Sequence, residues 1–247
     1  IAGDIEPAVA IEQIQKYLGD WTGDALPRET PPEPCELTEN DKRIVLLDSP
    51  GASQSTVAVA LVGIARKNPD YDAVMVLNTL LGGQFSSRLN MNLREKHAYS
   101  YGGYSLLAPR KWAGPWTAGG AITTSFTAPA IREIFIEIDR LRNELVPEAE
   151  LNNAKTNLIR KLPARFETAS GTAQALASLS ALDLPLDVFA LRQSGSAKVT
   201  AEDVRRAAQT YLRPDSMRIF VVGDASVIRG DLENLGFGEV EVRSTEH

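Results

Sequence analysis

The chain has 247 residues, 43% of them hydrophobic and 23% charged, with a net charge of −6. That balance suits a globular chain with a full core and argues against nucleic acid or an anionic membrane surface as the main partner. No run approaches the ~18 consecutive apolar residues of a membrane span.

Taken in chain order, Ile1 to Asp4 reads as a strand end and a turn, followed by a short amphipathic helix through Ala8, Ile11, Ile14 and Leu18. From Leu26 to Asn40, Pro27, Pro31, Pro32 and Pro34 stand among polar residues and predict an extended linker. Cys35, the single cysteine, lies in that stretch and reads as an incidental thiol. Apolar runs at Arg43 to Asp48 and Thr56 to Ile64, separated by Pro50 and Gly51, predict two strands. Asn68 and Pro69 supply a cap and a first helical residue for Ala73, Val76, Leu77, Leu80 and Leu81, and Gly82 and Gly83 stop that helix. A second helix follows, with Phe85, Leu89 and Leu93 expected to stack into the core.

Tyr99 to Ala108 and Trp112 to Thr123 predict a strand pair turning at Pro109. The rest reads mostly as helix. Ile131, Ile134, Phe135, Ile138, Leu141 and Leu145 make one apolar stripe. Pro147 opens a helix with Leu151, Ala154, Leu158 and Leu162, whose first turn holds Glu148 and Glu150. Thr200 caps another with Val204, Ala207, Ala208 and Tyr211 on one face. Ile219 to Asp224 then gives a buried-type strand ending in Gly-Asp, followed by a helix up to Leu235. The Gly-Asp ending at Gly3 and Asp4 is the same device, which suggests a duplicated domain. The expected class is α+β, a largely antiparallel sheet flanked by helices.

Histidine is the most informative residue type. There are only two, His97 and His247, whereas a catalytic zinc site usually takes about three protein ligands, mostly His. Neither H-x-x-E-H nor C-x-x-C occurs. The chain cannot build such a site alone, so no metal ligand is assigned to it. His97 reads as a structural or rim residue. Gly82 and Gly83 lack the Walker pattern and follow a helix, so they do not read as a phosphate cradle. Gly102 and Gly103 either let an extended backbone approach closely or mark a bulge. Arg88, Arg94, Lys96, Arg110 and Lys111 make residues 88 to 111 locally basic.

The run from Leu81 to Tyr101, LGGQFSSRLNMNLREKHAYSY, resembles the second-half signature of the M16 (insulinase-like) zinc peptidases. Its parts are a Gly-Gly turn, Ser-Arg-Leu, Leu-Arg-Glu-Lys, and a Tyr seven residues after that Arg. Ser49 to Ser55, Leu162 to Thr168, Leu212 to Asp215 and Val222 to Asp224 resemble further family segments in the same order. The resemblance implies a two-part clam-shell. One half would hold zinc through H-x-x-E-H and a distant Glu, and the other would close over a peptide substrate without metal. The zinc motif corresponds here to about Asp70 to Leu77, where no His occurs, so the chain resembles the zinc-free half.

By the same resemblance Arg94 and Tyr101 point into the partner's site, with Arg88, Gly82 and Gly83 as auxiliary candidates. An Arg fork suits peptide carbonyls or a carboxylate, and a Tyr hydroxyl can donate to a developing oxyanion. The expected partner is the zinc-binding half, on the same polypeptide or as a separate subunit, with a scaffold or assembly role and a stand-alone peptide-binding module as alternatives. The expected organisation is residues 1–25 as the tail of a preceding domain of the same kind, 26–41 as linker, 42–236 as the zinc-free domain and 237–247 as a tail. The likeness to bacterial members, many of them exported, points to the periplasm and leaves the cytoplasm open.

Overall fold

Six strands form one sheet in the computed structural model, which describes residues 1–23, 30 and 43–244. The strands are β1 (Ile44–Asp48), β2 (Gln54–Val62), β3 (Ser100–Leu107), β4 (Pro115–Thr123), β5 (Arg218–Gly223) and β6 (Val240–Arg243). Their spatial order is β3-β4-β2-β5-β1-β6. The β3–β4, β4–β2 and β2–β5 pairings are antiparallel, and β5–β1 and β1–β6 are parallel. This is the expected α+β layer structure with a largely antiparallel sheet.

Alternation along the strands sets the two faces. Ile44, Leu46, Val57, Val59, Ala118, Ile122, Ile219 and Val221 are buried beneath helices, while Val62, Leu106, Phe220 and Val222 lie exposed on the other side. The helices are α1 (Pro7–Leu18), α2 (Tyr71–Asn78), α3 (Arg88–Asn90), α4 (Thr127–Asn143), α5 (Glu148–Arg160), α6 (Ala169–Ala181), α7 (Val188–Lys198), α8 (Ala201–Tyr211) and α9 (Ala225–Glu233). α4 packs on β2 and β4, α9 on β1 and β6, and α8 covers α2 and α4. At Thr200 the expected cap is a full capping box with Asp203. None of the described helices is long and apolar enough to cross a membrane.

Several expectations need correction. Residues 1–6 form no strand. α2 starts at Tyr71 rather than Pro69, because Asn68 Oδ1 accepts the Asp70 N–H at 2.8 Å and closes a turn before the helix begins. Phe85 is 66% exposed, since it lies in the turn before α3, whereas Leu89 and Leu93 are buried as expected. Leu145 falls beyond the end of α4 and is exposed. The segment expected as a tail holds β6, which pairs with β1. The linker expected at 26–41, apart from Thr30, together with Cys35 and His247, lies outside the described residues.

Candidate functional site

The segment 79–104 is built by two widened helical turns seated on an edge strand. α2 ends in a π-helical turn, Thr79–Gly83, and α3 runs into a second one, Met91–Lys96. Such widened turns recur where a helix is shaped by function. Asn78 seats the first of them. Its Nδ2 donates to Ser105 O at 3.2 Å, its Oδ1 accepts Trp116 Nε1–H at 3.1 Å, and its backbone O accepts Ser105 Oγ–H at 2.9 Å. These buried polar groups satisfy one another, which fixes the helix end against β3.

Gly82 makes that seating possible. A Cβ there would lie 2.0 Å from Ser105 N, so only glycine lets the backbones meet. Its role is close packing as well as the helix stop expected from sequence. Gly83 is less crowded, with Asn78 O at 3.2 Å from such a Cβ.

The second turn carries Arg94 and leads into Tyr101. Leu89 and Leu93 are fully buried beneath it. Ala98 closes it in a left-handed conformation, φ 53°, with Ala98 N–H donating to Arg94 O at 3.2 Å and Tyr99 N–H to Leu93 O at 2.8 Å. This is a helix C-terminus of the left-handed type, which favours glycine and here uses alanine. Asn90 ties the turn to β3: its Nδ2 donates to Phe85 O at 2.7 Å and its Oδ1 accepts Gly103 N–H at 3.3 Å. The β3–β4 register shifts between Ser100 and Gly103, and the Ser100 hydroxyl meets Gly102 O and Ala121 O at 2.9 and 2.7 Å. Gly102 and Gly103 thus mark an irregularity in the strand.

On this frame Tyr101 is 87% exposed. Arg94 sits on the adjoining element, its side chain 42% exposed and its Nε 3.2 Å from Glu95 Oε1. The Arg94 guanidinium carbon lies 5.1 Å from the centroid of the Phe85 ring, within cation–π range. Phe85 is therefore a neighbour of Arg94 that the sequence reading had placed in the core.

Arg88 faces elsewhere. Its Nε and Nη2 donate to both oxygens of Glu150 at 2.7 and 2.9 Å, clamping α3 to α5. Burial opposes its charge, yet the Glu150 hydrogen bonds and charge, helped by Glu137 and Glu144, hold its pKa above the ordinary value. Glu150, expected merely as a first-turn residue, is the other jaw of that clamp. His97 stacks on Tyr99, their centroids 4.8 Å apart, and Tyr99 stacks on Phe126 at 4.7 Å. His97 Nε2 lies 3.6 Å from Glu133 Oε1, and Asn92 Nδ2 donates to Glu133 and to the buried Glu137 at 2.7 and 3.0 Å.

The chemistry of α2 does not fit a zinc ion. Across Asp70 to Leu77 the side chains are one Tyr, two Asp and otherwise Ala, Val, Met and Leu, with Val74, Val76 and Leu77 buried in the core. Among the described residues no three of His, Cys, Asp and Glu converge on a metal position.

A six-stranded sheet backed by helices carries two widened turns on its edge strand, and among the described residues it offers no metal-binding group. The chain belongs to the peptidase M16 inactive domain family, whose sequence model matches residues 1–158. Among solved structures it is similar to the peptidase M16 inactive domain from Pseudomonas fluorescens, with 25% identity and a TM-score of 0.74 over 90% of this chain and 52% of that one. A protease from Helicobacter pylori shares the fold at 21% identity and TM-score 0.69, covering 90% of this chain and 54% of that one. A chain of complex III2 from Candida albicans shares it at 14% identity and TM-score 0.66, covering 78% and 49%. The chain thus spans about half the length of these structures. No curated protein matches it.

Proposed function

We propose that this chain is the zinc-free half of an M16-type peptidase, closing over a peptide held against a zinc-bearing half and lending that half Arg94 and Tyr101. The observation that carries the reading is the contrast at Tyr101: a large aromatic side chain, 87% exposed, stands on backbone fixed by Asn90, Ser100 and the Ala98 turn. An unburied tyrosine on a hydrogen-bonded strand edge, with an exposed arginine on the adjoining turn, is what a closing partner needs to meet. Its hydroxyl can donate to the oxyanion that forms as zinc-activated water attacks a carbonyl, and the Arg94 fork can hold a neighbouring carbonyl or carboxylate. Zinc, water and the general base then belong to the partner half.

We place that partner upstream on the same polypeptide, with residues 1–25 as the end of its last domain. The support is α1, where Ile11, Ile14 and Leu18 share one face and are exposed, an apolar helix face that suits packing on a further domain.

The test is reconstitution. The zinc-bearing half is supplied, fused upstream or as a separate chain, and peptide turnover is followed as this chain is added. Turnover should appear only with both halves, and this chain alone should bind no stoichiometric zinc and cleave nothing. One equivalent of zinc on the isolated chain, with cleavage lost on chelation, contradicts the reading. The second reading is a scaffold subunit, favoured by the likeness to a complex III2 chain. It gains if the assembled halves turn over peptide equally well with Arg94→Ala.

A further inference from the structure

Between β2 and α2 the chain buries positive charge with little to answer it. Arg66, just after β2, is 8% exposed, and its guanidinium carbon lies 4.0 Å from the centroid of the Tyr71 ring. The Arg192 guanidinium carbon, from α7, lies 4.2 Å from the same centroid. Arg165, in the short 3-10 turn Pro163–Phe166, is close enough to act electrostatically on Arg66. Arg66 and Arg192 meet the Tyr71 ring, and none of the three guanidinium groups has a hydrogen bond or ion pair among the described residues.

One carboxylate, Asp72, lies within electrostatic reach of Arg66 and Arg192. It is itself half-buried, accepts the Ser196 hydroxyl at 3.3 Å, and is crowded by α7, where a Cβ on Gly195 would lie 2.1 Å from its Oδ2. Three cations against one carboxylate leave an excess of positive charge. Burial lowers the pKa of Arg66, and Arg192 lowers it further. Burial raises that of Asp72, so neither charge is comfortable as it stands.

Stacking on a ring uses the face of a guanidinium and leaves its N–H edge unspent. The planar fork of arginine matches the oxygens of a carboxylate or phosphate. Arg66 is 8% exposed, yet none of its guanidinium nitrogens is fully shut off from solvent, so the fork stays open to a ligand. We infer that Arg66 and Arg192, both over the Tyr71 ring, with the exposed Arg165 within electrostatic reach, form a binding site for a small oxyanion, the carboxylate or phosphate group of a ligand. The surroundings favour its arrival. Arg66 N–H donates to Arg110 O at 2.9 Å, which brings the Arg110–Lys111 turn alongside, and Lys67 and Lys111 both reach Asp183 Oδ2, at 4.0 and 3.9 Å. In a chain of net charge −6 this is a local basic basin, and such basins concentrate anions.

The site stands apart from the peptidase reading and is tested without it. Isothermal titration calorimetry at constant ionic strength would compare three ligands on the whole chain: inorganic phosphate, a short neutral peptide with a free C-terminal carboxylate, and the same peptide amidated. Arg192→Gln and Arg165→Gln probe the cluster from its less buried members, circular dichroism confirms that they fold, and Arg229→Gln on α9 is the control outside it. Phosphate or the free-acid peptide should bind with a dissociation constant of about 1 mM or tighter, and each cluster variant should weaken it roughly tenfold, as loss of a charge-assisted fork implies. Arg229→Gln should bind as the unaltered chain does. Binding of phosphate alone assigns the site to a phosphorylated ligand, and binding of the free but not the amidated peptide assigns it to a peptide terminus. Absence of binding by both anions up to about 10 mM, or equal affinity in folded Arg192→Gln, overturns the inference.

Discussion

The two sides of segment 79–104 are held in opposite ways. On the inner side, Leu81, Leu89 and Leu93 are fully buried, Gly82 touches the backbone of Ser105, and Asn78 satisfies three polar groups at once. On the outer side, Phe85, Arg94 and Tyr101 are exposed, Arg94 meeting the Phe85 ring and Glu95. The difference teaches that stability and the proposed activity are carried by separate residues. Inner substitutions should unfold the chain, and outer ones should leave its stability unchanged.

The largest effect should come from Gly82→Ala. Its methyl group would collide with the backbone of β3, so a loss of about 3 kcal/mol in unfolding free energy is expected, read by urea denaturation. A change under about 0.5 kcal/mol would mean that the helix and strand are less tightly seated than their geometry implies. Outside the segment, Asp70 at the start of α2 offers a pH-resolved version of the same question. The Arg206 hydrogen bonds, and then that from Tyr211, outweigh burial and hold its pKa below the ordinary carboxylate value. A lowered folded-state pKa gives stability that is fully present above the unfolded value of about 4 and is lost as pH falls through the folded one. Unfolding free energies from neutral to acid pH should therefore fall less steeply below about pH 4 in Asp70→Asn than in the unaltered chain.

The smallest stability effect should be a gain. Ala98 holds a left-handed φ of 53°, so Ala98→Gly relieves steric cost against a loss of chain entropy, a net of about 0.5 kcal/mol in favour of folding. Loss of stability there would show that the Ala98 methyl group makes a packing contact worth more than the strain.

Much of this was legible in the sequence. Apolar runs gave β1, β2 and β5, turn residues separated β1 from β2, and the helical stripe from Ile131 to Leu141 matched α4. Phe85 was misplaced because its i, i+4, i+8 relation to Leu89 and Leu93 assumes one continuous α-helix. The chain instead turns at Phe85, starts the helix at Arg88 and widens it at Met91. β6 escaped because a four-residue strand with two charges gains its order from a parallel partner nearly 200 residues away. Arg88 looked like a site residue by motif, and only the fold reveals its clamp on Glu150, 62 positions along the chain. The meeting of Arg66 and Arg192 over Tyr71 was equally invisible, since α7 lies far along the chain from α2.

The central claim is best tested at one atom, the Tyr101 hydroxyl. Once the zinc-bearing half is restored, kcat should be compared between the intact protein and Tyr101→Phe, with the melting temperature measured on the same samples. The account predicts a fall of roughly 10²–10³ in kcat, the usual cost of losing one oxyanion donor, with the melting temperature unchanged. Equal kcat in the two proteins would contradict it and leave Tyr101 as an exposed strand aromatic with no part in the reaction.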